Sequence, residues 1–184
     1  MSRILIVNGS PRRNGVDSNV ARKITEEFTE KGHTVETVDI CGIEIHGCRA
    51  CMSCKKTGRC VQDDGMIPLY EKVRDSDALI LMSPVYFGAE TGQLKTFIDR
   101  LFALTGDEKP LGKVKAASAL LICGDPNGNM VYGAVLTRMC NVMKYLKVDD
   151  FGYGCILGGL TPEEVEDSPK VRDYIDGLEF QLGM

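Results

Sequence analysis

Half of the chain's eight cysteines fall within a short stretch near the first third of the sequence. The clustered residues are Cys48, Cys51, Cys54 and Cys60. Their spacing, CxxCxxCxxxxxC, lets three thiolates converge on one corner of an iron–sulfur cluster while the fourth closes it after a flexible interval. Zinc held by four thiolates, or a metal-free set of thiols that forms disulfides, uses the same residue type. The segment therefore predicts a [4Fe-4S] cluster, with zinc or redox-active thiols as alternatives.

A second group of reactive residues lies in the loop NGSPRRNGVDSN at positions 8–19, between an apolar run and a helical pattern. A strand that enters a helix through such a loop directs free backbone N–H groups and the positive end of the helix dipole at one point. The side chains suited to phosphate oxygens are Ser10, Arg12, Arg13, Ser18 and Asn19. No Walker motif and no GxGxxG spacing is present. The loop predicts a monophosphate site, the alternative being a loop that holds only water.

A third stretch, Pro84 to Gly88, combines two aromatic residues with a glycine at the end of an apolar run. Tyr86 and Phe87 offer surface to a flat ring, and Gly88 lets the backbone approach a ring heteroatom closely. Their alternative role is simple core packing. A monophosphate and a flat ring together indicate flavin mononucleotide (FMN). Its phosphate is expected in the first loop, and its isoalloxazine ring between residues 84–88 and the turn-rich loop 123–129, which contains Gly124.

These loops must be positioned by a regular scaffold. Apolar or alternating runs predict strands at residues 4–7, 34–39, 78–83, 117–123 and 150–156. Helical periodicity predicts helices from residue 18 to a stop at Gly32, over residues 66–73, 94–102 and 132–147, and through residue 178 at the end. Strands that alternate with helices indicate a doubly wound parallel sheet whose ligands lie beyond the carboxyl ends of the strands. The cysteine-rich stretch at about 41–64 shows little periodicity, which predicts a functional loop. We expect this loop to be an insertion in a single domain that spans residues 1–184.

The composition narrows the class of protein. The 184 residues carry a net charge of −4 and a mean hydropathy of −0.08, which are ordinary for a globular chain. No basic block favours nucleic acid or an anionic membrane, and no long apolar stretch indicates a bilayer span. We expect a cytoplasmic protein. The cluster of thiols in a reducing compartment then favours metal or redox chemistry over structural disulfides.

Three stretches resemble the iron–sulfur flavoprotein branch of the NADPH-dependent FMN reductase family: GSPRRNGVDSN, GCRACMSCKKTGRCVQDD and SPVYFGAETGQLKTFIDR. The resemblance covers about residues 4–104 and implies a flavodoxin-like fold. By this resemblance the FMN phosphate would be bound by Ser10, Arg12, Ser18 and Asn19. The isoalloxazine ring would contact Pro84, Val85, Tyr86, Phe87 and Gly88, and the four clustered cysteines would ligate the cluster. The loop 123–129 departs from the family because it lacks the paired glycines of many relatives.

We expect an FMN-dependent oxidoreductase that moves electrons between FMN and a [4Fe-4S] cluster or NAD(P)H. We also expect a small redox partner such as ferredoxin, and the resemblance implies a homodimer or homotetramer. Two alternatives stay open. One is a NAD(P)H:quinone or flavin reductase without a cluster, and the other is a redox sensor whose cysteines oxidise or bind zinc.

Overall fold

The computed structural model describes residues 1–105, 112–148 and 150–182. Its five strands are β1 (Arg3–Asn8), β2 (Thr34–Asp39), β3 (Ala78–Pro84), β4 (Ala116–Cys123) and β5 (Asp150–Gly158). Its α-helices are α1 (Val16–Glu30), α2 (Ser53–Thr57), α3 (Met66–Asp75), α4 (Gly92–Arg100), α5 (Gly128–Tyr145) and α6 (Pro169–Leu182). Short 3-10 turns follow β2 and α4 and precede α6.

The five strands form one parallel sheet in the order β2-β1-β3-β4-β5. This confirms the predicted doubly wound sheet, with β2 at one edge and β3 at the centre. The chain moves outward from β1 to β2 and then returns to the other side of β1, so the strand order reverses between β1 and β3. Loops that leave the carboxyl ends of these two strands diverge there and open a crevice, which is where ligands bind in such folds.

Alternate residues of the buried strands face opposite layers of helices. Leu5 and Val7 of β1 pack with α3, α4 and α5, whereas Ile4 and Ile6 pack with α1 and α6. The period-2 alternation of a strand thus divides one apolar run between two cores. Each fully buried side chain of this kind contributes roughly 1.5–3 kcal/mol to folding. The sheet is therefore held from both faces, and the ends of its strands are rigid supports.

Two predicted elements differ from those observed. The helix expected at 132–147 begins at Gly128, because an Asx turn at Asp125 closes the preceding loop. Asn127 N donates to Asp125 Oδ1 at 2.9 Å and Gly128 N to Asp125 O at 3.0 Å. The cysteine stretch contains α2, which was not predicted from its weak periodicity. No helix in the described part of the chain combines the length and hydrophobicity needed to cross a bilayer.

Candidate functional site

The loop after β1 is fixed to the sheet by its own backbone and by Asn8. Gly9 N donates to Met82 O of β3 at 2.8 Å. The Asn8 side chain accepts from Ser10 N at 3.0 Å and donates to Asp39 of β2 at 2.8 Å. A Cβ on Gly9 would lie 2.7 Å from Leu94 Cβ, so the close approach of β1 to α4 requires glycine here. The loop thus leaves the sheet in one defined direction.

A cavity of about 600 Å³ opens where the loops after β1, β3, β4 and β5 meet, within the usual size range of a small-molecule site. The loop after β1 and the start of α1 line it with Ser10, Arg12, Asn14, Gly15, Val16 and Asp17. The other loops add Pro84, Val85, Tyr86, Ile122, Cys123, Gly124, Leu160, Thr161 and Pro162. One end of the cavity is therefore polar and beside a helix N-terminus, and the rest is mostly apolar.

The residues proposed for the phosphate separate into two groups. Ser10 is buried and Arg12 is exposed, and both line the cavity. Ser18 and Asn19 do not. Ser18 Oγ donates to Arg12 O at 3.0 Å, and Asn19 Nδ2 donates to Pro162 O at 3.0 Å. In this structure these two side chains hold the surrounding loops.

Gly15, the N-cap of α1, offers no side-chain hydrogen bond to the helix. The first backbone N–H groups of a helix have no intrahelical acceptor. Those of α1 therefore face the polar end of the cavity without a side-chain cap, which suits an anionic ligand.

The loop after β3 is tied to the loop after β1. Thr91 Oγ1 donates to Gly9 O at 2.8 Å, and Thr91 N donates to Ser83 Oγ at 2.9 Å. Between them Phe87 and Gly88 both have positive φ, 52° and 87°, in a tight turn closed by hydrogen bonds between Tyr86 and Ala89. Positive φ at both central residues is typical of a type I′ turn, in which glycine is favoured at the second central position.

The predicted ring contacts also separate. Pro84, Val85 and Tyr86 line the cavity, whereas Phe87 and Gly88 form the turn outside its lining. The Phe87 side chain is fully exposed. Phe87 follows the lining residue Tyr86 and is available to a molecule that approaches from solvent.

Of the loop after β4, the predicted residue Gly124 lines the cavity. Several other lining residues, among them Asn14, Asp17 and residues 160–162, are not predicted as site residues. Asp17 and Asn14 lay within the quoted loop, so an acid in an anion-binding sequence was a usable signal. Residues 160–162 follow β5, and their approach depends on the sheet placing the carboxyl ends of β4 and β5 side by side. That proximity is a long-range consequence of strand order.

Asp17 is the most unusual ionisable group at the cavity. Its side chain is buried, and Oδ1 has no hydrogen-bond partner among the described residues. Burial raises the pKa of Asp17 to about 6, although its own backbone N–H, Ser10 and Arg12 act in the opposite direction. A carboxyl group with such a pKa changes protonation close to neutral pH.

The four clustered cysteines border one small cavity of about 20 Å³, together with Arg100 and Phe102. Cys48 and Cys51 are exposed, Cys54 and Cys60 are partly buried, and all four are free thiols. Within the described ranges, no three Cys, His, Asp or Glu side chains are arranged to hold a metal ion. The donor set and its shared cavity suit a thiolate-ligated metal, but the thiols do not form a completed coordination shell here.

Hydrogen bonds from the side chain and from the backbone of Ser53 lower the pKa of Cys51. A lower pKa increases the fraction of Cys51 present as thiolate, the form that attacks electrophiles and binds metals. Cys51 is thus the clustered thiol whose ionisation the surroundings favour.

One buried ion pair attaches the cysteine segment to α4. Arg100 Nη1 contacts Asp64 Oδ2 at 2.5 Å, with side-chain exposures of 1% and 2%. The same guanidinium donates to His46 O at 2.7 Å and reaches Cys60 Sγ at 3.5 Å. Burial alone would raise the pKa of Asp64, but hydrogen bonds from Arg100 and from the backbone of His46 and Met66 outweigh it and lower the pKa to about 2.

Lys55, on α2, makes a second attachment. Its Nζ lies 4.2 Å from the Phe102 ring centroid, donates to Phe102 O at 2.7 Å and also contacts Thr105. A lysine in this segment would by default be a solvated surface residue. Its contacts with residues 102–105 could not be inferred from local sequence.

The geometry agrees with comparisons to known proteins. The family described as NADPH-dependent FMN reductase matches residues 2–152. An iron–sulfur flavoprotein from Archaeoglobus fulgidus is 36% identical over 168 residues, 91% of this chain and 76% of that protein. An iron–sulfur flavoprotein from Methanosarcina thermophila is 36% identical over 126 residues, 68% of this chain but only 65% of that protein.

A solved structure of NAD(P)H:quinone oxidoreductase from Methanothermobacter marburgensis superposes with a TM-score of 0.72. It covers 98% of this chain and 95% of that chain at 17% identity, which shows a shared fold. The fold, the cavity beyond β1 and β3, and the sequence matches point the same way. The chain belongs to the NADPH-dependent FMN reductase family, in its iron–sulfur flavoprotein branch, and is a flavin-dependent oxidoreductase with a flavodoxin-like fold.

Proposed function

We propose that the cavity beyond β1 and β3 binds FMN, with the phosphate at the start of α1 and the isoalloxazine ring against Val85, Tyr86 and Ile122. The observation that carries this proposal is a single cavity of about 600 Å³ that is polar at the uncapped helix N-terminus and apolar elsewhere. FMN has the same division between an anionic end and a flat, largely apolar ring. When bound, it supplies one-electron and two-electron redox chemistry.

The protein's own groups give this ligand a defined orientation. Arg12 supplies a planar guanidinium, and Ser10 a hydroxyl, at the phosphate end. Gly124 has no heavy atom within 4 Å of its would-be Cβ, so the loop after β4 leaves space at the opposite end. The ring would lie between this loop and Tyr86, with one edge toward the exposed Phe87.

We propose further that Cys48, Cys51, Cys54 and Cys60 ligate a [4Fe-4S] cluster that exchanges single electrons with a partner. Three features support this: the shared cavity, the compact spacing, and the names of the related iron–sulfur flavoproteins. Arg100 beside Cys60 would offset part of the thiolate charge. NAD(P)H or a ferredoxin-like protein is the proposed partner. Exposed Lys56 and Arg59 suit the surface of an acidic protein.

FMN retention tests the phosphate assignment. The double variant Ser10→Ala and Arg12→Ala removes two donors from the cavity and should lower FMN affinity by at least about tenfold, because charge-assisted hydrogen bonds contribute about 1.5–3 kcal/mol each. Arg13→Ala is the matched control, since Arg13 is exposed and outside the lining. Flavin content of purified protein and fluorescence titration give the measurement. Equal affinity in the double variant and the control would refute the assignment.

The cluster requires a separate experiment. Protein purified without oxygen should contain about four iron and four sulfide per chain, as the proposed cluster requires, and broad absorbance that dithionite bleaches. Cys60→Ala should lose this iron and keep FMN, whereas Cys155→Ala, outside the cluster, should keep both.

A reductase without a cluster is the second candidate, suggested by the NAD(P)H:quinone oxidoreductase whose structure superposes with a TM-score of 0.72. Flavin without iron in anaerobic protein, together with rapid reduction by NADPH, would select it.

A further inference from the structure

Asp17 places an acid at the point where the proposed FMN phosphate would bind. It is the second helical residue of α1, its side chain lines the cavity, and only 4% of the residue is exposed. Oδ1 is without a hydrogen-bond partner in the described part of the chain. Stabilisation of the helix dipole does not require burial, because an exposed acid in the first turn already contributes about 0.3–1 kcal/mol. Burial of an unpartnered oxygen at the cavity wall instead indicates a ligand.

A carboxylate and a phosphate cannot meet without a proton. Both are acceptors when fully ionised, so neither has a hydrogen to donate, and their like charges repel. Ser10 Oγ accepts from Arg12 N at 3.3 Å, and its hydroxyl hydrogen bonds to the Asp17 carboxylate. The cradle therefore gains a donor if Asp17 is protonated, and contains an opposing charge if it is not.

The other groups near Asp17 leave its protonation state open to change. Arg12 on the same loop favours the carboxylate. Cys41, after β2, interacts electrostatically with Asp17 and Asp39, and burial raises the pKa of its thiol. Cys41 Sγ lies 3.3 Å from Gly9 O as a hydrogen-bond donor. Thr161 and Pro162 across the cavity bring no charge. Arg12 is therefore the one cation identified beside Asp17 in the described residues.

We propose that Asp17 joins the phosphate cradle as a neutral carboxyl group that donates a hydrogen bond to a phosphate oxygen, so that FMN binding takes up one proton from solvent. This inference rests on the proposed FMN site. It makes Asp17 a determinant of phosphate-flavin affinity and of its pH dependence. Riboflavin, which lacks the phosphate, would not meet this group.

The direction of the effect follows from linkage. The pKa of Asp17 without ligand is about 6, so above that pH the carboxyl must be reprotonated before the phosphate can bind. FMN affinity should then fall by up to about tenfold for each pH unit above 6. The FMN phosphate itself ionises in this range, so wild-type protein alone is not enough to isolate the contribution of Asp17.

The experiment is a fluorescence titration of the deflavinated protein with FMN and with riboflavin, from pH 5.5 to 8.5. Asp17→Asn keeps a hydrogen-bond donor of the same size without the titration. At pH 8 it should bind FMN roughly 10- to 100-fold more tightly than wild type, and its pH slope should be shallower. Riboflavin affinity should be unchanged. Glu30→Gln, with the same charge change at the exposed far end of α1, should follow wild type.

Identical FMN slopes in wild type and Asp17→Asn, or weaker FMN binding by Asp17→Asn at pH 8, would overturn this inference and leave the FMN site standing. Failure of wild type and variant to bind FMN at any pH would overturn the proposed site itself. If Asp17→Asn does not fold, calorimetry of wild type at pH 7.5 in buffers of different ionisation enthalpy decides the question. Uptake of close to one proton per FMN is expected, after subtraction of phosphate protonation, and uptake of none contradicts the inference.

Discussion

The cavity proposed for FMN and the cysteine segment, residues 41–64, are positioned in different ways. The cavity is built on the carboxyl ends of the strands: Gly9 N donates to Met82 O of β3, and the Thr91 side chain joins the loop after β3 to Gly9 O. The cysteine segment contains no strand of the sheet. It is attached to the rest of the protein chiefly by side chains, through Arg100 with Asp64 and through Lys55.

This difference predicts how each region responds to change. Parallel strands hold the cavity through many hydrogen bonds shared across the sheet, so one lost side chain alters ligand affinity more than architecture. The cysteine segment depends on a few contacts, and the central one is a buried ion pair. Losing one partner of such a pair leaves an uncompensated buried charge. Four perturbations test the contrast, beginning with the largest expected effect.

Asp64→Ala should have the greatest effect on stability. It leaves the Arg100 guanidinium, 1% exposed, without its carboxylate, and removes the acceptor for His46 N and Met66 N. A loss of about 3–5 kcal/mol in the free energy of unfolding is expected. Urea denaturation measures it. Asp63→Ala, the exposed neighbouring acid, should cost less than about 0.5 kcal/mol. Equal losses in the two variants would contradict the anchoring role of Asp64.

Gly9→Ala tests how closely the loop after β1 packs against α4 beside the cavity. The new Cβ would lie 2.7 Å from Leu94 Cβ and 2.9 Å from Thr91 Oγ1, so β1, β3 and α4 must separate. We expect about 1–3 kcal/mol of destabilisation and weaker FMN binding. Gly92→Ala is the control, because its Cβ meets no atom within 4 Å. Thermal unfolding and flavin content of both variants give the result, and similar behaviour of the two would argue against the close packing.

Acid should weaken the Asp64 anchor over a defined range. Asp64 has a pKa of about 2 in the folded protein against an ordinary value of 3.8, so its contribution is fully present above about pH 4. It is lost as the pH falls from about 4 to 2, up to about 2 kcal/mol in total. Urea midpoints of wild type and Asp64→Asn, measured between pH 2 and 7, should converge at the acid end. Parallel curves throughout would exclude this contribution.

Lys55→Met should give the smallest change in global stability, below about 1 kcal/mol, because the ammonium group contacts Phe102 near the surface. Its effect should be local. Without the anchor, α2 separates more readily from residues 102–105, and the thiols beside it react faster with a disulfide reagent in metal-free protein. Lys56→Met, one residue away and exposed, is the control. Equal thiol reactivity in Lys55→Met and Lys56→Met would show that Lys55 does not anchor the cysteine segment.

The sheet and most helices were predictable because their signals are local. The apolar run of β1 and the alternation of β2 predict the strands that the structure contains. α5 begins earlier than its periodicity predicts, because the Asx turn at Asp125 forms through a side-chain contact that periodicity does not register. α2 was missed for a similar reason: its five residues are too few to show a helical period.

The candidate site was predictable in part. Ser10, Arg12 and Tyr86 line the cavity because residues that directly follow parallel strands share one edge of the sheet. Ser18 and Asn19 carry suitable polar atoms, yet these atoms bind Arg12 O and Pro162 O. Residue type identifies a possible donor. Which acceptor it meets depends on the path of the neighbouring loops.

By itself, the sequence determined the doubly wound sheet, the spacing of the four thiols and the polar composition of the loop after β1, because each follows from neighbouring residues. Only the tertiary structure decided that Asp17 is buried at the cavity with an unpartnered oxygen, and that Asp64 and Arg100 attach the cysteine segment to α4. Burial and partnership are properties of groups distant in the chain. They change the charge and pKa of a residue in ways that its sequence neighbours do not reveal.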